Sequence, residues 1–404
     1  MMFPQSFLKP APLVAALALS ACSSLMPPDH VDMVAPPQWH APLPHQGTVV
    51  SLTQWWQQQG DPLLVELITA AQAVSPTVAQ AMARVEAARA QQAAAHSALL
   101  PNVSAQVAGS RGVSQPGLAL TTLQQAGLQA QWEIDLVGAN RAVSRAAQAN
   151  VAGSQAQWHD ARVSVAAEVA NLYYGLSTCT RQLALAQRDA ASRQETARLT
   201  EINAKAGFLA PSVGAMARAS AADGNSRVTQ QSALCELDTK ALVALTAVSE
   251  PILKEKLALA LAKPAQTAPI SIASVPAQAI SQRPDVFAAE RDVMVASAQV
   301  GAARAQRLPR LSLSGSIAGA RLRSDGDTQN GTTWSFGPLA LSLPIFDGGQ
   351  RVAAVRSSEA NYQAVVLGYQ GKVRQAVREV EEALVTLHSS EARSEDAKVS
   401  TQGY

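Results

Sequence analysis

Between Leu311 and Ala320 the chain alternates with a period of two. Leu311, Leu313, Gly315, Ile317 and Gly319 fall on one side and Ser312, Ser314, Ser316, Ala318 and Ala320 on the other, which predicts a strand. The residues just before it are patterned differently. Up to Leu308 the apolar positions are small, mostly Ala, with no Gly or Pro after Gly301, as a helix prefers. Pro309 then excludes helix from the residue before it. The same switch occurs at Leu99-Leu100-Pro101-Asn102-Val103, about 210 residues earlier. Two copies of one junction predict a tandem repeat.

Taken in order, Trp55-Trp56 and Asp61-Pro62-Leu63 open the folded part, with Asp61 as N-cap and Pro62 at the first helical position. Helix is expected from there to His96, broken near Ser75-Pro76. Val103, Ala105, Val107 and Gly109 begin a strand, Arg111 to Ala119 form a hairpin loop, and Leu128, Ala130, Trp132 and Ile134 mark the returning strand. No helix breaker of consequence follows between Gly138 and Gly207, a helix of roughly 100 Å at 1.5 Å per residue. Trp158, Val165, Leu172 and Cys179 recur every seven residues, joined by Val169, Leu176 and Leu183, and form a coiled-coil seam. A turn at Gly207-Phe208-Leu209-Ala210-Pro211-Ser212 returns the chain as a second helix to about Val248, on which Val228, Cys235 and Leu242 continue the spacing. Residues 249–282, with Pro251, Pro264, Pro269 and Pro276, read as a connector packed sideways on the helices. The second copy has a helix from Arg283-Pro284-Asp285 to Leu308 and a strand from Leu311 to about Arg321. A loop holding Asp325, Gly326, Asp327 and Gly331 follows, then a strand with Leu339, Leu341, Leu343 and Ile345 on one face, and a last helix to Tyr404.

Composition supports long helices over one thick core. Hydrophobic residues make up 48% of the chain but aromatics only 4%, so the apolar fraction is mainly Ala, Val and Leu. A formal net charge of +2 gives no argument for a nucleic-acid partner. The apolar run Ala11 to Ala21 is too short for a spanning helix, which needs about 20 residues, and has the length of a signal-peptide core preceded by Lys9. Leu19-Ser20-Ala21-Cys22 resembles a bacterial lipobox, which predicts lipid on Cys22, and Ser23 after it favours the outer membrane. Residues 22–54 are Pro-rich and aperiodic, an extended tether. His30, His40 and His45 lie in it without a second ligand type at metal-site spacing, so they read as solvated and no metal is expected.

Each hairpin offers strands of about ten residues with one apolar and one polar face, enough to cross the roughly 25 Å apolar band of an outer-membrane barrel when tilted. Four strands cannot close a barrel, since the smallest have about eight, and lipid does not tolerate open edges. Spanning strands therefore require oligomerisation. A soluble sheet with one face on a core is the competing reading, disfavoured by the lipobox and by long helices with no globular core to pack on.

The runs Asp61-Pro62-Leu63, Arg283-Pro284-Asp285-Val286, Arg307-Leu308-Pro309-Arg310-Leu311-Ser312-Leu313 and Leu343-Pro344-Ile345-Phe346-Asp347-Gly348-Gly349 resemble the TolC-type outer-membrane factors, and the lipobox points to the lipoprotein subgroup of tripartite drug efflux. The resemblance covers about residues 55–404. It implies a mainly α fold with transmembrane β: a homotrimer whose twelve strands share one barrel above a periplasmic tunnel of long antiparallel coiled-coil helices. It further implies docking on a periplasmic adaptor and an inner-membrane pump. The domains expected are a signal peptide (1–21), the tether (22–54), a first repeat (55–248), an equatorial connector (249–282) and a second repeat (283–404). Tyr404 falls about 55 residues after Gly349, whereas Gly138 to Gly207 spans about 70. The second tip and its returning helix, where the family places acidic gate residues, are thus expected to be missing, with poor trimer closure.

No metalloprotease motif, phosphate-binding Gly loop or nucleophile triad stands out, so neither enzyme activity nor a cofactor is expected. In the family the helical tip touches the adaptor. Here that role falls on Gly207, Phe208, Leu209 and Ala210, with Phe208 where Leu is usual, against the plainer reading of Gly207 as a helix C-cap. Cys179 and Cys235 lie 28 residues either side of Gly207, so helices folded there bring them level. In an oxidising periplasm they form a disulfide, the alternative being two buried thiols. Two other functions remain open: a type I protein-secretion duct, and a structural trimeric coiled-coil envelope lipoprotein without transport.

Overall fold

The computed structural model describes residues 26–36, 39–40, 55–58, 60–113, 119–261 and 276–403. Its elements run in the order α1 (Trp55–Gln58), α2 (Pro62–Val74), α3 (Pro76–Ser97), β1 (Asn102–Gly112), β2 (Thr121–Ile134), α4 (Ala139–Lys205), α5 (Pro211–Thr246), α6 (Glu250–Leu261), α7 (Pro276–Ser281), α8 (Pro284–Ala305), β3 (Arg310–Ser324), β4 (Asp327–Ser342) and α9 (Gln350–Gly403). The chain divides into two compact units, residues 1–42 with 83–157 and 275–404, and residues 43–82 with 158–274.

The first unit holds the strands. They form one antiparallel sheet in the order β1-β2-β3-β4, so the two hairpins are joined through β2 and β3, from Thr121 opposite Ser324 to Ile134 opposite Leu311. The β3–β4 connection is tighter than the composition suggested. Asp325 and Gly326 both have positive φ, the geometry of a two-residue turn that matches strand twist. Asp327 and Gly331 therefore lie inside β4 and not in a loop. β4 ends at Ser342, which leaves Leu343 and Ile345 beyond the strand. Under the sheet α8 packs on α9. Val286, Val293 and Val300 recur every seven residues on α8 and are buried, as are Tyr369, Val373 and Ala376 on α9. The helix expected to reach Leu308 ends at Ala305, and the backbone N–H groups of Arg307 and Leu308 donate three residues back to Arg304 O (3.1 Å) and Ala305 O (3.0 Å), a tightened last turn that takes the chain out of helix before Pro309.

The second unit is organised by the seven-residue seam. Val165, Val169, Leu176 and Cys179 of α4 are buried with Cys235 and Leu242 of α5 and with Leu253 and Leu257 of the connector helix α6. Helix α2 adds Leu63, Leu64, Leu67 and Ile68. Its N-cap is Asp61, whose Oδ1 accepts the backbone N–H of Leu63 and of Leu64 at 3.1 Å. The other carboxylate oxygen accepts the hydroxyl of Tyr173 at 2.7 Å. Burial, then that hydrogen bond to Asp61, holds the Tyr173 phenol above its ordinary range. Toward the turn the seam shrinks to Ala190 and Ala197 on α4 and to Gly214, Ala221 and Gly224 on α5, all buried. A Cβ on Gly224 would stand 3.3 Å from the Ala190 Cα, so the two backbones approach closely there.

Candidate functional site

The sheet has two chemically distinct faces. Cross-strand register puts Leu128, Ile317 and Trp334 in one row, and Ala130, Gly315 and Phe336 in the next. Trp132 with Leu313 and Leu339, then Ile134 with Leu311 and Leu341, complete the apolar side towards the helices. Near the helices this side is half-buried, with the Trp132 indole N–H donating to Leu99 O at 3.0 Å, but farther along it is open among the described residues: Trp334 is 76% exposed and Phe336 82%. The opposite face carries Ser104, Gln106, Gln129, Gln131, Ser314, Ser316, Thr333 and Ser335. It is laced by hydrogen bonds from Gln106 to Gln129 (2.7 Å) and between Ser316 and Ser335 (2.9 Å). It is polar and, across its middle, uncharged. A surface apolar and unpartnered on one side and wet on the other is what a strand between lipid and a water-filled lumen needs.

One residue type was out of reach of the periodicity. Trp334 and Phe336 have even numbers, whereas Leu339 and Leu341 on the same face have odd ones. A register shift between Leu313 and Gly315 inserts an extra residue into β4, so both sets point the same way. The signal in the sequence was Gly337-Pro338 interrupting an otherwise regular run.

Both strand-to-helix junctions use one device. After β2, Asp135 accepts the backbone N–H groups of Asn140 (3.3 Å) and Arg141 (2.9 Å), and the Arg141 side chain closes on it at 3.2 Å. After β4, Asp347 accepts from the backbone of Gly349 (2.9 Å) and Arg351 (3.2 Å), and the Arg351 guanidinium pairs with it at 2.9 Å. Burial pushes the Asp347 carboxyl up, but the backbone donors and Arg351 outweigh it and hold it below the usual carboxylate range. Gly138, Gly348 and Gly349 have positive φ, which fits the glycine-rich sequence at both turns.

At the helical turn, the Phe208 N–H donates to Asn203 O (2.9 Å) and the Gly207 N–H to Ala204 O (3.1 Å), with Gly207 at φ +82°. This is a Schellman C-cap. It presents Phe208 at 81% exposure beside Leu209 and Ala210, and Pro211 starts α5. Cys179 and Cys235 are joined as a disulfide, with Cα atoms 5.6 Å apart, at the level where the seam changes from Leu to Ala and Gly. Cys22 lies outside the described residues. So do His45, most of the tether and the connector between α6 and α7.

The described part of the tether is extended but docked on the first unit. Met26 sits over Gly301, where a Cβ would come within 2.3 Å of its Cγ. Pro27 O accepts from Ser297 (2.6 Å), Pro28 O from Tyr362 (2.8 Å), and His30 Nδ1 meets Glu290 at 2.8 Å. His30 is thus held by a carboxylate and not simply solvated. Proline-rich backbone keeps its carbonyls free to accept, which hydrophobic periodicity does not report.

Comparison with known proteins places this geometry. The family profile for outer membrane efflux proteins matches residues 67–248 and 275–401. The outer membrane protein OprJ of Pseudomonas aeruginosa is 30% identical over 391 residues, covering 92% of this chain and 79% of OprJ. The toluene efflux pump outer membrane protein TtgI of Pseudomonas putida is 28% identical over 395 residues, covering 93% of this chain and 82% of its own length. The solved outer-membrane channel OprN superposes with a TM-score of 0.76 at 26% identity, covering 90% of this chain and 84% of the channel.

Proposed function

The chain belongs to the outer membrane efflux protein family, and on that premise we propose that it is the passive outer-membrane duct of a tripartite efflux pump. The single observation that carries this reading is the two-faced sheet, with an exposed apolar side and a polar side whose middle rows are uncharged Ser, Thr and Gln. Four strands with open outer edges leave closure to further copies. Three chains give a twelve-stranded barrel with the Ser and Gln rows facing the lumen. A lumen uncharged across its middle holds no solute tightly there and passes chemically varied ones, which suits a duct whose selectivity resides elsewhere. No bond is made or broken in this role, and the driving force comes from an inner-membrane transporter.

The periplasmic adaptor would meet the turn at Gly207, Phe208, Leu209 and Ala210, where the Schellman cap fixes the backbone and Phe208 offers an apolar anchor. Lipid on Cys22 would fasten the chain to the membrane, with the docked segment around Met26 and Pro27 directing it along the first unit. The domain scheme given above, two repeats around a connector, is supported by the matching Asp135 and Asp347 junctions. Labelling tests the reading. In cells, a bulky water-soluble maleimide should modify Ser316→Cys and slow efflux of a fluorescent substrate, while Ile317→Cys stays unmodified. Equal labelling of the two neighbours would overturn the assignment of the faces.

A further inference from the structure

The apolar face of the sheet ends in two arginine-bearing rows that the duct function does not use. Numbering rows from the helix end, Ile134–Leu311–Leu341 is the first and Val107–Ala126–Gly319 the fifth. The sixth is Gly109–Gln124–Arg321–Asn330, and the seventh is Arg111–Thr122–Arg323–Thr328. All three arginines share the face of Leu128, Ile317 and Trp334. Each row advances about 6.7 Å along the strand, or about 5 Å along the barrel axis at a 45° tilt. Arg321 then stands about 24 Å, and Arg111 and Arg323 about 28 Å, beyond the first apolar row. The apolar band of such a barrel is about 25 Å tall. The three guanidinium groups therefore fall at its outer rim, at headgroup level.

Their surroundings leave them available. Arg111, Arg321 and Arg323 are exposed, and among the described residues none has a salt bridge. Arg141 and Arg351 at the helix end, by contrast, are neutralised by Asp135 and Asp347. Asp325 lies in the β3–β4 turn, and Asp327 faces the other side of the sheet with Ser324. Arg323 is one residue along the face from Arg321, about 7 Å away, and two strands from Arg111, about 10 Å away. Guanidinium forks at that spacing suit phosphate oxygens, which they grip bidentately.

We propose that Arg111, Arg321 and Arg323 form a lipid-binding rim that takes the phosphorylated headgroups of the glycolipid in the outer leaflet, fixing the depth of the barrel in the membrane. The proposal rests on the sheet spanning the outer membrane as argued above. Near an anionic lipid surface each basic residue adds about a factor of five in affinity, so three arginines give roughly a hundredfold.

The test uses the full chain purified from outer membranes, with binding of lipid A carrying both phosphates measured against enzymatically dephosphorylated lipid A. Wild-type protein should bind the phosphorylated lipid far more tightly. The triple variant Arg111→Gln/Arg321→Gln/Arg323→Gln should lose that preference, and the corresponding triple Lys variant should keep most of it. Equal binding of wild type and the Gln variant, or equal binding of the two lipids by wild type, would overturn the proposal. Displacement of the lipid by millimolar inorganic phosphate would also overturn it, in favour of a free-phosphate site. A parallel arm separates failure of the rim from failure of the membrane reading. Brominated lipid should quench the fluorescence component that Trp334→Phe removes. If that component is quenched while the Gln variant binds like wild type, the rim alone is wrong. If it is not quenched, the sheet does not face lipid and both readings fail.

Discussion

Placing an arginine at Ile317 or at its neighbour Ser316 should have sharply different consequences. Ile317 lies in the fourth apolar row, directly between Leu128 and Trp334. Three row intervals at a 45° tilt put it about 14 Å from the first row, near the middle of a band about 25 Å tall. An arginine at that depth on the lipid face costs about 2–4 kcal/mol, or about 6–12 kcal/mol for a barrel of three chains. Ser316 projects from the same strand to the wet face, where it hydrogen-bonds Ser335 at 2.9 Å. Losing that bond costs about 0.5–1.5 kcal/mol, and the new guanidinium stays hydrated. Ile317→Arg should therefore reduce the fraction of chain recovered from outer membranes as a detergent-resistant oligomer at least tenfold, while Ser316→Arg leaves it within about twofold to threefold. The assay is gel mobility of unheated against heated membrane fractions at matched expression. Equal recovery of the two variants would refute the assignment of faces, since nothing but the direction of the side chain separates them.

Further expectations follow from other parts of the chain. The Cys179–Cys235 bond closes a sequence separation of 56 residues, for which chain entropy gives about 4 kcal/mol. Cys179→Ala/Cys235→Ala should lower the denaturation midpoint of the helical signal, and reductant should shift wild type by a similar amount but leave the variant unmoved; a wild type indifferent to reductant would contradict this. At the start of α8, Arg283 holds Asp285 at 3.0 Å and Glu379 of α9 at 2.7 Å. Burial raises the Asp285 carboxyl, but the hydrogen bond and charge of Arg283 outweigh it and the net shift is downward. Glu379 is lowered first by Gln375 and then by Arg283. Carboxyls depressed in the folded state contribute stability that is complete above their ordinary values near 4 and is lost as pH falls through the lowered ones. Arg283→Gln should therefore destabilise at pH 7, and its difference from wild type should shrink as pH falls below about 4, measured as unfolding midpoints from neutral to acid pH. At the turn, Gly207→Val places a β-branched residue at φ +82° and should cost at least about 1–2 kcal/mol locally, read as faster proteolysis there. Phe208→Glu leaves the cap intact, so it should abolish adaptor crosslinking without changing oligomer recovery.

How much of this the sequence disclosed depended on whether a local pattern carried the information. The long helices, the Asp61 cap and the turn at Gly207 were readable because helix punctuation is local. The strands were readable where alternation was regular, from Leu311 to Ala320 and from Leu128 to Ile134. The reading failed where two residues set the geometry. Asp325-Gly326 closes a turn that composition spread over seven residues, and the bulge at Gly337-Pro338 moves Trp334 and Phe336 onto the face of Leu339. The narrowing of the helical hairpin at Ala190 and Gly224 was hidden for another reason. Small residues carry little weight in a hydrophobic pattern, although they are what lets two helices approach. The docking of Met26 and Pro27 uses backbone carbonyls and a gap over Gly301, neither of which leaves a periodic trace.

The central claim is that this chain lets pumped molecules leave through the outer membrane. Its most direct measurement is the rate at which preloaded ethidium leaves energised cells deleted for the gene, with and without the chain restored. Restoration should return rapid, energy-dependent efflux, and a restored chain carrying Phe208→Glu should not, although it still reaches the outer membrane. Efflux as slow with the restored chain as without it, at normal outer-membrane abundance, would contradict the account.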